Sequence, residues 1–355
     1  MISFLFVLSK CFDIDYVIDV FPISSKSNIT YFMRDINKCM QNPLNTSYLP
    51  TNTKEAQKHF DEIHSFFESY SNYRRPKYFT CKGPFLENEF IQRFKSKPLS
   101  YFSPFIPLFF PWFGVYKNLL RVYGVHMSKI LKLLKPEYLY FVLSESDFGF
   151  TGKNNFLQSL PSNVFVFSAS GMGHVAIPWI QCKQKPLKQQ KIEHFLSFSG
   201  NPRSCVDRKE ILNVVRSVLG TDFYENRTKS WEDVFSKSKF VLSPRGIAVS
   251  TYRSYEILRM EVIPVIYTDY IHWLPYFPKL NWSRFSFLTN HQEFTRTAMK
   301  LKTLTDDEYN EMKKYLHVVS QKYFQWDGFF NQLDLFFNGG DHSFTCSRAA
   351  LTSVH

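Results

Sequence analysis

The 355 residues carry 43 Lys and Arg against 31 Asp and Glu, a net charge of +12, with 44% hydrophobic and 18% aromatic side chains. That is too long for one ordinary core and fits two domains of roughly 150 residues each. The positive balance favours anionic partners, but it is spread along the chain, and without a zinc-finger, RNA-recognition or helix-turn-helix pattern nucleic acid is not among them.

The amino-terminal ISFLFVL run (Ile2 to Leu8) is too short to span a bilayer and reads as a clipped membrane anchor or a first core strand. Asp13-Ile14-Asp15 matches the D-x-D that holds a metal in some transferases, but it lacks a surrounding βα unit and reads as surface carboxylates. No Cys or His spacing suits zinc, so no metal is expected, and the six cysteines leave the compartment open. Four N-x-S/T sequons (Asn28, Asn45, Asn226, Asn281) would be usable only in a secretory lumen.

Apolar residues at Ala56, Phe60, Ile63, Phe67 and Tyr70 recur in steps of four and three, predicting an amphipathic helix over 54–70. Tyr78 to Cys81 reads as a short strand, and Phe85 to Phe94 as a helical segment carrying Glu87 and Glu89. Pro104, Pro107 and Pro111 exclude a regular helix from 101–113. A helix is predicted over 119–134, stopped by Pro136, then a buried strand over 138–143 ending in the loop Ser144-Glu145-Ser146-Asp147-Phe148-Gly149. A strand over 164–168 leads to Ser170-Gly171-Met172-Gly173-His174, whose G-x-G is followed by Pro178 instead of a helix and is no dinucleotide fingerprint. The basic stretch 183–191 reads as a solvated linker.

Beyond it come a strand at 195–198, a loop with Gly200 and Arg203, and a helix over 208–219 with Arg208 in its first turn. The stretch Phe240 to Trp282 then reads as strand, tight loop, helix, strand. Ser243-Pro244-Arg245-Gly246 ends the first strand, Ser250 is a suitable N-cap for a helix over 251–260, and 262–267 is a buried-strand run. A diphosphate suits such a helix N-terminus, with Arg245 and Arg253 supplying charge-assisted hydrogen bonds and Glu256, one turn on, accepting from ribose hydroxyls. A capping box, Thr305 with Glu308, opens a helix predicted over 305–323, and the end from Asn338 reads as frayed.

The ordered string S-P-R-G (243–246), S-x-x-R-x-x-E (250–256), I-P-V-I (263–266), L-P-x-F (274–277) and N-W (281–282) resembles the carboxyl-terminal signature of exostosin-type (GT47) glycosyltransferases. More loosely, G-P-F-x-E-N-x-F (83–90) and F-I-P-L-F-x-x-W (105–112) resemble the amino-terminal half of short exostosin-like proteins. The resemblance implies an α/β fold of GT-B type, two Rossmann-like domains facing a cleft. The boundaries are a partly helical segment 1–75, an acceptor domain 76–185, a nucleotide-sugar domain 186–330 and a tail 331–355. It implies an inverting, metal-independent transferase that moves a sugar from a nucleotide sugar, a UDP-sugar by expectation, to a glycan or glycoconjugate hydroxyl.

Donor-binding candidates are Ser243, Arg245, Gly246, Ser250, Arg253, Glu256, Gly200 and Arg208. For the general base, which must reach across from the first domain, the candidates are Asp147, then His174, then Glu87. The resemblance also implies a Golgi or secretory-pathway setting with possible membrane association through the amino terminus, the cytoplasm being the alternative. A relative that keeps the fold but only binds carbohydrate or acts as a scaffold is the other functional reading. No P-loop is present to support a kinase.

Overall fold

The structure, a computed structural model, describes residues 33–34, 48–68, 83–113, 129–146, 163–171, 173–182, 190–202, 206–228, 230–246, 248, 250–267 and 273–347. These form a mixed α/β fold on two largely parallel β-sheets with helices packed over them, a generic Rossmann-like layering. Much of the predicted helix over 119–134, the strand at 78–81, the D-x-D and the loop with Asp147 lie outside the described residues.

The first sheet takes β1 (Met33–Arg34), β2 (Phe105–Pro107), β3 (Leu139–Ser144), β4 (Val164–Ser168), β5 (Val175–Ala176) and β11 (Cys346–Ser347) in the order β1-β11-β5-β4-β3-β2. Strands β2 to β5 run parallel, while β11 pairs antiparallel with β5 and with β1. Every residue of β3 and β4 is buried, as a parallel strand covered on both faces requires. Pro107 ends the edge strand β2, where a missing N–H is tolerated. One face is covered by α1 (Lys54–Glu68), whose Phe67 ring lies 4.7 Å from Phe110. The other is covered by α2 (Leu86–Phe94) and by α8 (Trp326–Phe337), with Phe336 5.1 Å from Phe167 and Phe337 5.0 Å from Phe141. Much of the phenylalanine excess is thus core filling.

The expectation of a frayed end is corrected here. Phe344 and Thr345 are buried, Thr345 donates to the carbonyl of Phe277, and Cys346 and Ser347 complete the first sheet. One apolar residue in a polar run was too faint a signal.

The second sheet is entirely parallel: β6 (His194–Ser199), β7 (Phe223–Asn226), β8 (Ser238–Pro244), β9 (Ile263–Tyr267) and β10 (Phe287–Thr289), in the order β10-β9-β8-β6-β7. Its helices are α3 (Val206–Leu219), α4 (Trp231–Ser236), α5 (Tyr252–Arg259), α6 (Phe294–Thr303) and α7 (Asp306–Val319). The predicted stripe Ile211, Leu212, Val215 and Leu219 is buried, and the capping box of α7 is formed in both directions. Ser320–Phe324 widens into a π turn, so the predicted single helix ends four residues early.

Between the sheets the chain passes twice, at Gln181–Cys182 on the way out and at Gln325–Trp326 on the way back. Cys182 is disulfide-bonded, and its N–H donates to Pro84 O at 2.7 Å. Arg259, the last residue of α5, holds both passages: its guanidinium donates to Gln181 O (3.0 Å) and Cys182 O (3.2 Å), and Gln325 Nε2 donates back to Arg259 O (3.2 Å). Burial lowers this guanidinium to about 10, against the opposing pull of Glu256. Replacing Arg259 by Met keeps the stem but leaves those carbonyls without their donor, and should cost about 2–4 kcal/mol in a chemical-denaturation measurement. An unchanged midpoint would show that the clasp contributes nothing.

Candidate functional site

The strand order locates a crevice that the motif string alone does not. From β6 the chain steps to β7 on one side, then returns past β6 to β8 on the other. The loops leaving the carboxyl ends of β6 and β8 therefore diverge, and ligands of open parallel sheets bind at such a switch point. Gly200-Asn201-Pro202 follows β6, and Arg245-Gly246 follows β8.

Arg208 ties the two loops together. Its guanidinium donates to Arg245 O (2.7 Å from Nη2, 3.0 Å from Nε), Pro244 O (3.0 Å) and Asn201 O (3.2 Å). It therefore sets the crevice walls through carbonyls. Gly200 is required by packing, since a Cβ there would stand 2.8 Å from the Phe198 ring. Gly246 is not: a Cβ would meet nothing nearer than 3.7 Å, so the glycine leaves the β8 loop backbone uncovered at this rim.

Helix α5 begins beside that loop. Its N-cap is Thr251, whose hydroxyl accepts from Arg253 N, one residue later than Ser250. Ser250 instead reaches the first sheet, donating its N–H to Ser170 O at 3.1 Å. Ser243 is a strand-to-helix tie, its hydroxyl 2.8 Å from that of Ser254. Arg245 is buried, with its N–H on Tyr267 O.

Arg253 lies over the Trp231 ring at 4.2 Å and near Phe235 at 5.2 Å. Its Nη1 stands 2.8 Å from Glu256 Oε2, close as an ion pair but not aligned as a hydrogen bond. Burial pushes the Glu256 carboxyl up, while Arg253 and Arg259 both pull it down. Of the predicted trio, Arg253 and Glu256 pair on α5 and Arg245 follows β8 at the same end of the sheet, while Trp231 joins Arg253 from α4, a helix not predicted from sequence.

Across from it, the carboxyl ends of β3 and β4 carry Ser144, Glu145, Ser146, Ser168 and Ser170, all buried. Trp273 Nε1 donates to Ser168 O at 2.9 Å, so the carboxyl ends of the two sheets meet here. Glu87 is spoken for by backbone: Oε2 accepts from Phe113 N and Oε1 from Glu145 N, both at 2.9 Å. His174 accepts Val166 N–H on Nδ1 at 3.0 Å and stacks on Phe165. With Nδ1 so used, its other nitrogen carries the proton, which leaves no lone pair for a base. Neither residue was assigned these ties from sequence, because side-chain to backbone bonds over such separations leave no periodic trace.

An open groove of about 570 Å³ lies at the β6 and β7 ends, lined by Gly200, Asn201, Pro202, Arg216, Glu225, Asn226 and Arg227. Among the described residues no group of three or more ligating side chains is placed to hold a metal ion.

Burial holds His174 at about 4, well below its ordinary 6.5. Between those values the unfolded chain binds the extra proton, so this group's contribution falls as pH drops from 6.5 toward 4, by about 1.4 kcal/mol per unit. His174→Asn keeps an acceptor for Val166 N–H but does not titrate, and its stability should lose that part of the acid slope in urea titrations at pH 7 and pH 5. Equal slopes would contradict a buried neutral imidazole.

Neither a protein-family model nor a curated protein matches the chain. The GT47 identity suggested by the motif string is therefore withdrawn as a label. The Golgi and membrane setting, which that resemblance implied, is withdrawn with it; among the described residues, which do not include the amino-terminal run, no helix is long and apolar enough to cross a membrane.

Proposed function

We propose that the chain transfers a glycosyl group from a nucleoside-diphosphate sugar to a hydroxyl acceptor, with the two sheets acting as the donor and acceptor halves of a GT-B-type fold. The observation carrying this reading is the switch-point crevice of an all-parallel sheet, bordered by the start of α5 with Arg245, Arg253 and Glu256 beside it. A helix N-terminus and two guanidinium groups suit a diphosphate, and they stabilise charge developing on a leaving diphosphate without a metal ion. Glu256 is suited to hydrogen bonds from a ribose. Arg208, Ser243 and Gly200 hold the crevice walls, while Gly246 leaves backbone accessible.

The acceptor lies on this reading along the polar rim of the first sheet. Inversion needs a group there to take the acceptor's proton. His174 and Glu87 have structural partners, so Asp147, which follows the buried Ser144-Glu145-Ser146 rim in the chain, takes the role.

Arg253→Ala should weaken binding of UDP- or GDP-sugars by about 1.5–3 kcal/mol, the range for a charge-assisted contact. Thermal-shift titration reads this directly, because a ligand that binds the folded state raises the melting temperature. If Arg253→Ala and Glu256→Ala bind every tested nucleotide sugar as the parent does, the site is misplaced. Turnover, followed by release of nucleoside diphosphate, should survive a strong chelator and fall roughly 10²–10⁴-fold in Asp147→Asn with donor binding retained. Unchanged turnover in that variant removes Asp147 from the mechanism, and donor binding without turnover in the parent marks a binding protein.

A further inference from the structure

The side chain that the donor reading depends on most, Arg253, lies over aromatic rings as well as beside the Glu256 carboxylate. Its guanidinium lies 4.2 Å above Trp231, 5.2 Å from Phe235 and 5.9 Å from Tyr252, and the side chain is 14% exposed. Trp231 and Phe235 come from α4, which packs beside α5 through Val234, Phe235 and Ile257. Trp231 is the first residue of α4 and Arg253 the second of α5, and both helices follow strands of one parallel sheet. Both residues therefore stand at its carboxyl-terminal rim, on the ligand side.

We propose that Trp231 is a positioning residue for the diphosphate, holding the Arg253 guanidinium flat so that its in-plane N–H groups are presented to a phosphate. This rests on the donor reading above and adds a residue to it. A guanidinium stacked on an indole loses none of its donors, because the attraction acts on its face and hydrogen bonds lie in its plane. Nη1 is buried and makes no aligned hydrogen bond among the described residues, although Glu256 Oε2 is 2.8 Å away. An arginine confined in this way has less side-chain freedom to lose when an anion arrives than one free in solvent. The two acidic residues after Trp231, Glu232 and Asp233, argue against α4 itself receiving a phosphate.

The test separates an effect on the phosphates from one on the base. Binding of UDP and GDP, and of uridine and guanosine, is measured by calorimetry and ligand-observed NMR for the parent, Trp231→Leu and Trp231→Phe. Trp231→Leu should bind the preferred diphosphate about tenfold more weakly, on the scale of a partly desolvated cation–π contact, and its nucleoside as the parent does. Trp231→Phe, which keeps a ring face, should stay within about threefold of the parent.

Parent-like diphosphate binding by Trp231→Leu would overturn the proposal. So would a parallel loss of nucleoside binding, which assigns Trp231 to the base or, with a lowered melting temperature, to the fold. A parent that binds none of the four compounds overturns the donor reading itself, and this inference with it.

Discussion

Arg259 is the point through which the two halves of the molecule are joined. It is buried at the end of α5, and its hydrogen bonds reach the outgoing passage at Gln181–Cys182 and, through Gln325, the returning one. Two sheets joined, among the described residues, by two passages of chain could sit at many angles. Holding both passages at one residue, through its side chain on one and its carbonyl on the other, restricts that freedom, and carboxyl end faces carboxyl end, with Ser250 on Ser170 and Trp273 on Ser168. Helix α8, which follows the return passage, then covers the first sheet, so the chain's last elements belong to the sheet its first elements began.

Meeting at carboxyl ends also explains why the contact region is polar yet buried. The last residues of parallel strands leave backbone groups unpaired, and serines supply hydroxyls that satisfy them at little volume. The hydroxyl of Ser168 accepts Ser170 N–H at 3.3 Å, and that of Ser144 accepts Ser146 N–H at the same distance. A wholly apolar junction would strand those groups at a cost comparable to a lost hydrogen bond each.

The strands β3, β4 and β6, the helices α1, α3 and α7 and the β8-α5-β9 unit were legible because each carries a full period of buried residues or a cap. What was not legible is what long-range pairing decides. Nothing local in Phe223-Tyr224-Glu225-Asn226 marks an edge strand, so the strand order, and with it the switch point between β6 and β8, was out of reach. The trio Arg245, Arg253 and Glu256 could be proposed from sequence because a tight loop running into a helix start has a local pattern. The contact of Trp231 with Arg253 could not be read from sequence, because it exists only once α4 and α5 lie side by side. The backbone ties of Glu87 and His174 were illegible for a related reason: a charged or titratable residue near a strand end looks the same in sequence whether it faces a ligand or holds a backbone N–H.

The charges of α5 connect these two levels. Arg253, Glu256 and Arg259 follow at intervals of three, placing a buried carboxylate between the rim arginine and the clasp arginine. Glu256 draws on both, since each pulls its carboxyl down against the opposing effect of burial. An anion that engages Arg253 competes with Glu256 for it, and the carboxylate then depends more on Arg259. The Arg259 guanidinium also holds the Gln181–Cys182 passage, so the carboxylate beside Arg253 and the joint between the sheets share one short row of charges.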